Sequence, residues 1–132
     1  MANEAVLMFE THLPVSFTVA NATGIEKGTV LTMADPMTAS AVSLSGAAVA
    51  GIAAEEKIAS DGKTRMAVYR GGIFKVTASG SVTVGNALIA DNSNKFSEAV
   101  VNAEHLAGIA LETATNGETF LMELGPRNSN LA

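Results

Sequence analysis

The candidates for acid–base catalysis in this sequence are its two histidines, His12 and His105, and two glutamates at equivalent repeat positions, Glu55 and Glu112. A nucleophilic hydrolase needs a Ser or Thr activated by a His that an acid orients, but the chain has no Gly-x-Ser-x-Gly turn to present such a nucleophile. The two glutamates could instead form the carboxylate pair of a glycoside hydrolase. Because the sequence indicates neither a cleft nor a tryptophan for a sugar, we expect ordinary solvated carboxylates that follow buried strands.

Three short stretches resemble ligand motifs without matching them. Residues 91–95 begin like a calcium loop, but Lys95 stands where an oxygen ligand is needed and Asn102 stands at the twelfth position. Residues 24–29 contain the letters of a phosphate loop in the wrong order. Arg70 could contact a ligand, although a single Arg on a strand is more often solvated or at an interface. We therefore predict no catalytic residue, no metal site and no cofactor.

The charge and composition restrict the partners. The chain has 132 residues, with 13 acidic and 8 basic side chains, a formal charge of −5, no Cys, and no Lys or Arg before Lys27. A surface that follows nucleic-acid phosphates needs clustered cations, and the aromatic residues that stack on bases are only 5% of this chain. We expect one domain with no direct nucleic-acid partner and no small-molecule substrate.

Neither an export signal nor a membrane helix is expected. Glu4 and Glu10 enclose a short apolar run, which is too short for a signal peptide. Residues 36–54 carry no charge, but Ala, Ser, Gly and Thr dominate them. This stretch is more typical of a loop that enters a buried strand than of a membrane helix.

The sequence aligns with itself at an offset of 57 residues, the separation of Phe17 and Phe74. The offset also superposes Gly28 on Gly85 and residues 50–55 on residues 107–112. In each copy an Asp-Gly or Asn-Gly pair follows the repeated motif Ala-Gly-Ile-Ala, which occupies residues 50–53 and 107–110. Such a pair is the strongest short signal for a β-hairpin. These pairs are Asp61-Gly62 and Asn116-Gly117. Each copy is therefore predicted to end in a hairpin.

The residues beside these turns have the pattern of strands. Large apolar residues occupy every second position in residues 15–19 and 120–124, as a strand with one buried face requires. Helix is limited to one possible turn at Asp35-Pro36 and a short helix or loop over residues 98–105. The sequence predicts a mainly β fold: a small barrel or sandwich built from two tandem pseudo-symmetric repeats, with an extended N-terminal arm and at most one or two short helices.

The predicted boundaries are an arm at 1–14, a single β-rich domain at 15–124 with repeats at about 15–71 and 72–124, and a C-terminal tail at 125–132. Because the arm lies outside the repeat, it is either a frayed terminus or a segment that adds a strand to another subunit. In the second case its interface residues are Val6, Leu7, Met8, Phe9, His12 and Leu13.

An ordered series of short motifs between residues 15 and 124 resembles the head decoration, or capsid cement, proteins of tailed bacteriophages. The series comprises residues 17–20, 24–29, 35–36, 50–57, 61–64, 67–70 and 72–74. The resemblance implies a non-enzymatic virion protein on the capsid exterior, commonly a homotrimer, that clamps neighbouring major capsid protein subunits. It carries over no site residue, because none of these motifs is catalytic.

Cementing needs many modest contacts, which gain strength through multivalency and symmetry. The acidic charge suits a position away from packaged DNA. We expect the arm and the loops around residues 35–45 and 91–103 to contact the shell. Two other functions stay open: a small-ligand or carbohydrate-binding β-barrel, and a hydrolase that depends on Glu55 and Glu112 or on the two histidines.

Overall fold

The computed structural model describes residues 2–100 and 105–128. Over these residues it contains eleven β-strands and no helix, so no described segment is a helix that could cross a membrane. The strands are β1 Val6–Phe9, β2 Val15–Thr18, β3 Val30–Ala34, β4 Thr38–Ala41, β5 Val49–Ala53, β6 Arg65–Tyr69, β7 Gly72–Thr77, β8 Ala87–Ala90, β9 Phe96–Glu98, β10 His105–Ala110 and β11 Thr119–Asn128. The prediction of a mainly β fold is confirmed.

Neither segment in which a short helix was expected is helical where the structure describes it. Asp35-Pro36 lies in the turn between β3 and β4. Glu98 ends β9 and His105 begins β10, while residues 101–104 lie outside the described residues. The strand β11 continues to Asn128, four positions beyond the predicted end of the domain at residue 124.

The first half of the chain closes into a five-stranded barrel with the order β2-β4-β3-β5-β6. Antiparallel pairs make up the barrel except where Thr18 of β2 pairs with Thr38 of β4 in parallel. The alternation predicted for β2 places Phe17 in the interior and leaves Ser16 exposed. The barrel core consists of Phe17, Val19, Ile25, Leu31, Ala39, Ala50, Ala53, Met66 and Val68.

The second half, joined by the N-terminal strand β1, forms a six-stranded antiparallel sheet with the order β1-β7-β11-β10-β8-β9. Its core contains three fully buried phenylalanines, Phe74, Phe96 and Phe120. The outward side chains of the barrel strands, including Val30, Val49 and Ile52, belong to this second core rather than to the barrel interior. The barrel therefore packs against the sheet through β5, which contacts β10 and β11.

The strands of the two halves follow one order. The neighbour order β4-β3-β5-β6-β2 of the barrel corresponds to β9-β8-β10-β11-β7 in the sheet. Two isolated bridges, Ile25 to Lys57 and Val82 to Ala114, also occupy positions 57 residues apart. These correspondences favour the internal repeat, which stays a prediction.

The glycine in each Ala-Gly-Ile-Ala motif lies where two strands approach closely. A Cβ atom on Gly51 would overlap the main-chain carbonyl of Tyr69, and a Cβ atom on Gly108 would overlap that of Glu123. Gly51 also has a φ of +149°, a region that side-chain-bearing residues rarely adopt. Only glycine allows β5 and β10 to pair with the next hairpin strand in this geometry.

Candidate interface surfaces

The apolar run of the predicted arm forms β1 at the edge of the sheet. Val6 pairs with Lys75 and Leu7 with Phe74 of β7, and the register shifts before Phe9. The side chain of Leu7 packs against the core, whereas Val6, Met8 and Phe9 are exposed. β1 thus presents large apolar side chains to solvent along a strand whose outer edge pairs with no other described strand.

The residues that precede β1 are held by Asn94. Its Nδ2 donates hydrogen bonds to the carbonyl oxygens of Asn3 (2.9 Å) and Gly28 (3.0 Å), and its Oδ1 accepts one from the N–H of Val30 (2.7 Å). The N–H of Ala5, a buried residue, also donates to the carbonyl of Gly28 (3.1 Å). One amide side chain therefore joins the arm to the barrel from the loop between β8 and β9.

The segment after β1 is exposed as far as the start of β2. Nδ1 of His12 lies 2.9 Å from the hydroxyl of Thr11, and the His12 ring occupies the space that a side chain at residue 71 would need. Leu13 is 80% exposed, although leucine is usually buried. Of the six predicted interface residues, the structure brings Val6, Met8, Phe9, His12 and Leu13 to the surface and directs Leu7 inward. Their contact with a partner stays a prediction.

The two candidate catalytic glutamates each secure a hairpin. Glu55 Oε2 accepts a hydrogen bond from the N–H of Ala67 (2.7 Å), and its Oε1 pairs with Lys63 Nζ. Glu112 Oε1 accepts one from the N–H of Leu121 (3.0 Å). The Lys63 ammonium, followed by the Ala67 N–H, lowers the pKa of Glu55, whereas a glycosidase acid needs a raised pKa. This geometry favours a structural role for both carboxylates.

The second histidine lies beside two arginines. His105, Arg70 and Arg127 line a cavity of about 240 Å³ where the barrel meets the sheet, together with apolar side chains such as Val49. Neither arginine side chain makes a hydrogen bond or ion pair with a described residue. Arg70 is one of two arginines that line this cleft rather than a single strand arginine, which the sequence alone did not indicate.

The stretches that resemble metal and phosphate loops are turns. Asp91 Oδ1 accepts hydrogen bonds from the N–H groups of Ser93 (2.9 Å) and Lys95 (3.0 Å), so this carboxylate stabilises its own turn. The Thr29 hydroxyl donates to the carbonyl of Glu26 (2.7 Å) at the entry to β3. Among the described residues there is no group of three or more His, Asp or Glu side chains placed to hold a metal ion.

The second half has an apolar face that the sequence did not indicate. A cavity of about 290 Å³ opens between β8, β10 and β11 and is lined by Ala87, Leu106, Gly108 and Ile109, among others. Ile109 is 47% exposed, although its counterpart at the repeat offset, Ile52, is fully buried. The alternation within 105–110 did not reveal this face, because its neighbours in space come from separate parts of the chain.

Four carboxylates make stability depend on pH. Hydrogen bonds to the folded chain lower the pKa of Glu55, Glu98 and Glu118 below an ordinary value of 4.5, and that of Asp61 below 3.8. The main donors are Lys63 Nζ to Glu55, Asn86 Nδ2 to Glu98, the Thr115 N–H to Glu118 and the Lys63 N–H to Asp61. The unfolded chain therefore binds more protons than the folded chain at acidic pH.

Above about pH 5 these four groups are expected to contribute a constant amount to the free energy of unfolding. This contribution is expected to be lost as the pH falls through their lowered folded-state pKa values. Thermal unfolding between about pH 3 and pH 7 measures this. Glu55→Gln should make the decrease in unfolding free energy at acidic pH smaller. Glu56→Gln should leave that decrease unchanged, because the native Glu56 carboxylate makes no hydrogen bond with a described residue. If Glu55→Gln left the pH dependence of stability unchanged, Glu55 would not contribute to it.

The comparison with protein families decides what kind of protein this is. The phage cement protein family matches residues 9–124. This chain belongs to the phage cement protein family. The resemblance inferred from the ordered motifs is therefore confirmed, and the cement protein is a structural protein associated with the phage capsid.

A solved structure shares the fold of this cement protein. The N base of the head fiber gp8.5 of bacteriophage phi29 superposes with a TM-score of 0.59 at 17% sequence identity, over 87% of this chain and 97% of that chain. No curated protein matches the cement protein at a significant level. Most of β1 precedes the part of the chain that the family matches.

Proposed function

We propose that this cement protein binds the exterior of a phage head as a homotrimer and stabilises the shell by bridging neighbouring major capsid protein subunits. The observation that supports this most is the exposed apolar surface of β1 and the segment after it. Phe9 is 59% exposed and Leu13 is 80% exposed, next to the exposed Val6 and Met8. These four exposed apolar residues, Val6, Met8, Phe9 and Leu13, are together called the arm surface below.

The arm surface has the chemistry of a protein-binding site. Burying one large apolar side chain against a partner stabilises a complex by about 1.5–3 kcal/mol. As an edge strand, β1 also offers main-chain groups to which an extended segment of a shell protein can pair. The hydrogen bonds of Asn94 fix the residues before β1, so a partner would meet a surface that is already ordered.

The connections on either side of β4 provide a second set of exposed apolar residues. Met37 and Leu44 lie within the predicted contact region 35–45, and both are exposed. The other predicted contact region, 91–103, includes the Asn94 turn, while residues 101–103 lie outside the described residues. We infer that the arm surface and the segment at 35–45, which includes β4, touch different shell subunits, as bridging requires.

Symmetry and duplication increase the number of contacts. The common strand order of the two halves supports an origin by internal duplication, and a cyclic homotrimer would repeat every contact three times. Weak contacts that engage together give a much higher overall affinity than any one of them. The formal charge of −5 favours the outer face of the shell, away from packaged DNA.

The test compares two variants on phage heads that lack the protein. The variant Phe9→Asp with Leu13→Asp changes the arm surface, and Ile58→Asp changes an equally apolar residue that is 70% exposed in the loop between β5 and β6. The bound fraction is measured by co-sedimentation with purified heads across a concentration series, and thermal unfolding verifies that each variant is folded.

The arm-surface variant is expected to bind heads at least about ten-fold more weakly, while Ile58→Asp binds like the native chain. Equal binding of both variants would remove the arm surface from the mechanism. Failure of the native chain itself to bind the heads would contradict the proposed function.

A further inference from the structure

The strongest unexplained feature of the molecule is the outward face of β8 and β10 in the second half. Ala87, Leu106 and Ile109 line the cavity of about 290 Å³ on this face. Glu123 and Arg127 of β11 stand at its margin, and both are exposed. An apolar centre with charged residues at the rim is the usual composition of a protein–protein interface. We call this area the β10 face.

The corresponding face of the barrel is buried. At the repeat offset of 57 residues, Ala87, Leu106 and Ile109 correspond to Val30, Val49 and Ile52, which are the barrel residues that pack against the sheet. Ile52 has no exposed surface, whereas Ile109 is 47% exposed. The same position thus lies in an internal interface in one half and faces solvent in the other.

The side-chain types on the β10 face match a covered surface. A face that stays in contact with solvent does not need leucine or isoleucine at its centre. Leu106 and Ile109 nevertheless keep the apolar character of their counterparts Val49 and Ile52. The unit that covers the barrel face is a β-sheet of the same strand order. The partner for which this face is suited is therefore another unit of the same kind.

From this correspondence we infer that the β10 face binds a second copy of this chain. The inference rests on the proposed internal duplication and deepens the proposed homotrimer, because it names the surface through which copies associate. In a cyclic trimer the contacts are head-to-tail, so each copy presents its β10 face to one neighbour and a different surface to the other.

The first experiment measures self-association of the full chain by sedimentation velocity over a concentration series. Ile109→Asp places a charge at the centre of the β10 face, and Ile58→Asp is the matched control on the barrel. The native chain and the control are expected to form the same oligomer. The Ile109→Asp chain is expected to remain monomeric or to dissociate at a concentration at least about ten-fold higher.

A second measurement does not depend on tolerance of the aspartate. Because the chain has no cysteine, Ile109→Cys and Ile58→Cys each introduce one thiol that can be alkylated selectively. Where the native chain is oligomeric, the thiol at residue 109 is expected to react at least about ten-fold more slowly than that at residue 58, and dilution to monomer should remove the difference.

Three results would overturn the inference. The native chain could be monomeric at all concentrations, the Ile109→Asp chain could keep the native oligomeric mass, or the two thiols could react equally fast in the oligomer. If Ile109→Asp kept the oligomer and lost binding to heads, the β10 face would contact the shell instead. Binding of the native chain to heads is scored separately, so the proposed function can stand where this inference fails.

Discussion

Gly51→Ala is expected to reduce the free energy of unfolding by about 3–5 kcal/mol, the largest effect among the substitutions considered. The added Cβ would overlap the carbonyl oxygen of Tyr69, a main-chain atom that cannot move without opening the pairing of β5 and β6. Alanine would also be strained at a φ of +149°. Since β5 pairs with both β3 and β6, its displacement would break the closed barrel.

Urea denaturation followed by circular dichroism measures this loss. Gly108→Ala should destabilise the sheet in the same way, because its Cβ would overlap the carbonyl oxygen of Glu123. Gly125→Ala is the matched control: it lies in β11, and no atom lies within 4 Å of the position that its Cβ would occupy. If Gly51→Ala were as stable as Gly125→Ala, β5 and β6 could not approach each other as closely at Gly51 as the structure shows.

Asn94→Ala is expected to cost about 2–4 kcal/mol of stability and to release the residues before β1. The substitution removes three hydrogen bonds, to Asn3, Gly28 and Val30, in a partly buried site where each contributes roughly 1 kcal/mol and unpaired groups add a penalty. The loss of stability is measured by urea denaturation. Release of the residues before β1 is measured by amide hydrogen exchange over residues 3–5, since β1 itself is held by its pairing with β7.

Asn92→Ala provides the comparison for this effect. Asn92 is exposed in the same turn and makes no side-chain hydrogen bond with a described residue, so its removal should change neither stability nor exchange measurably. Native-like protection of residues 3–5 in Asn94→Ala would show that Asn94 does not hold the residues before β1.

Much of the fold could be predicted because its signals are local. The alternation in β11 gives the buried face directly, since Phe120, Met122 and Leu124 are buried. In β2 it is correct for Phe17 and wrong for Val15, which is exposed at the start of the strand. The Asp-Gly and Asn-Gly pairs lie in the connections from β5 to β6 and from β10 to β11, and both glycines have a φ of +86°. Such features depend on neighbours in sequence, so they can be predicted without knowledge of the tertiary structure.

Other features depend on residues that are distant in sequence. Lys57 is buried because its Nζ donates to the carbonyl of Asn21 (2.7 Å) and pairs with Asp61 (3.2 Å), and no local pattern predicts a buried lysine. The pairing of β1 with β7 is likewise a choice among sheet edges that the sequence of the arm does not specify. For the same reason the β10 face and the cleft beside Arg70 were identified only from the structure.

The most direct test of the proposed bridging is an electron cryomicroscopy reconstruction of phage heads with and without the protein, at a resolution that traces side chains. If the protein bridges the shell, additional density will lie on the outer surface, with the arm surface of each copy on one shell subunit and the segment at 35–45 on another. Density on the inner surface, or exterior density in which each copy touches a single shell subunit, would contradict the proposed bridging.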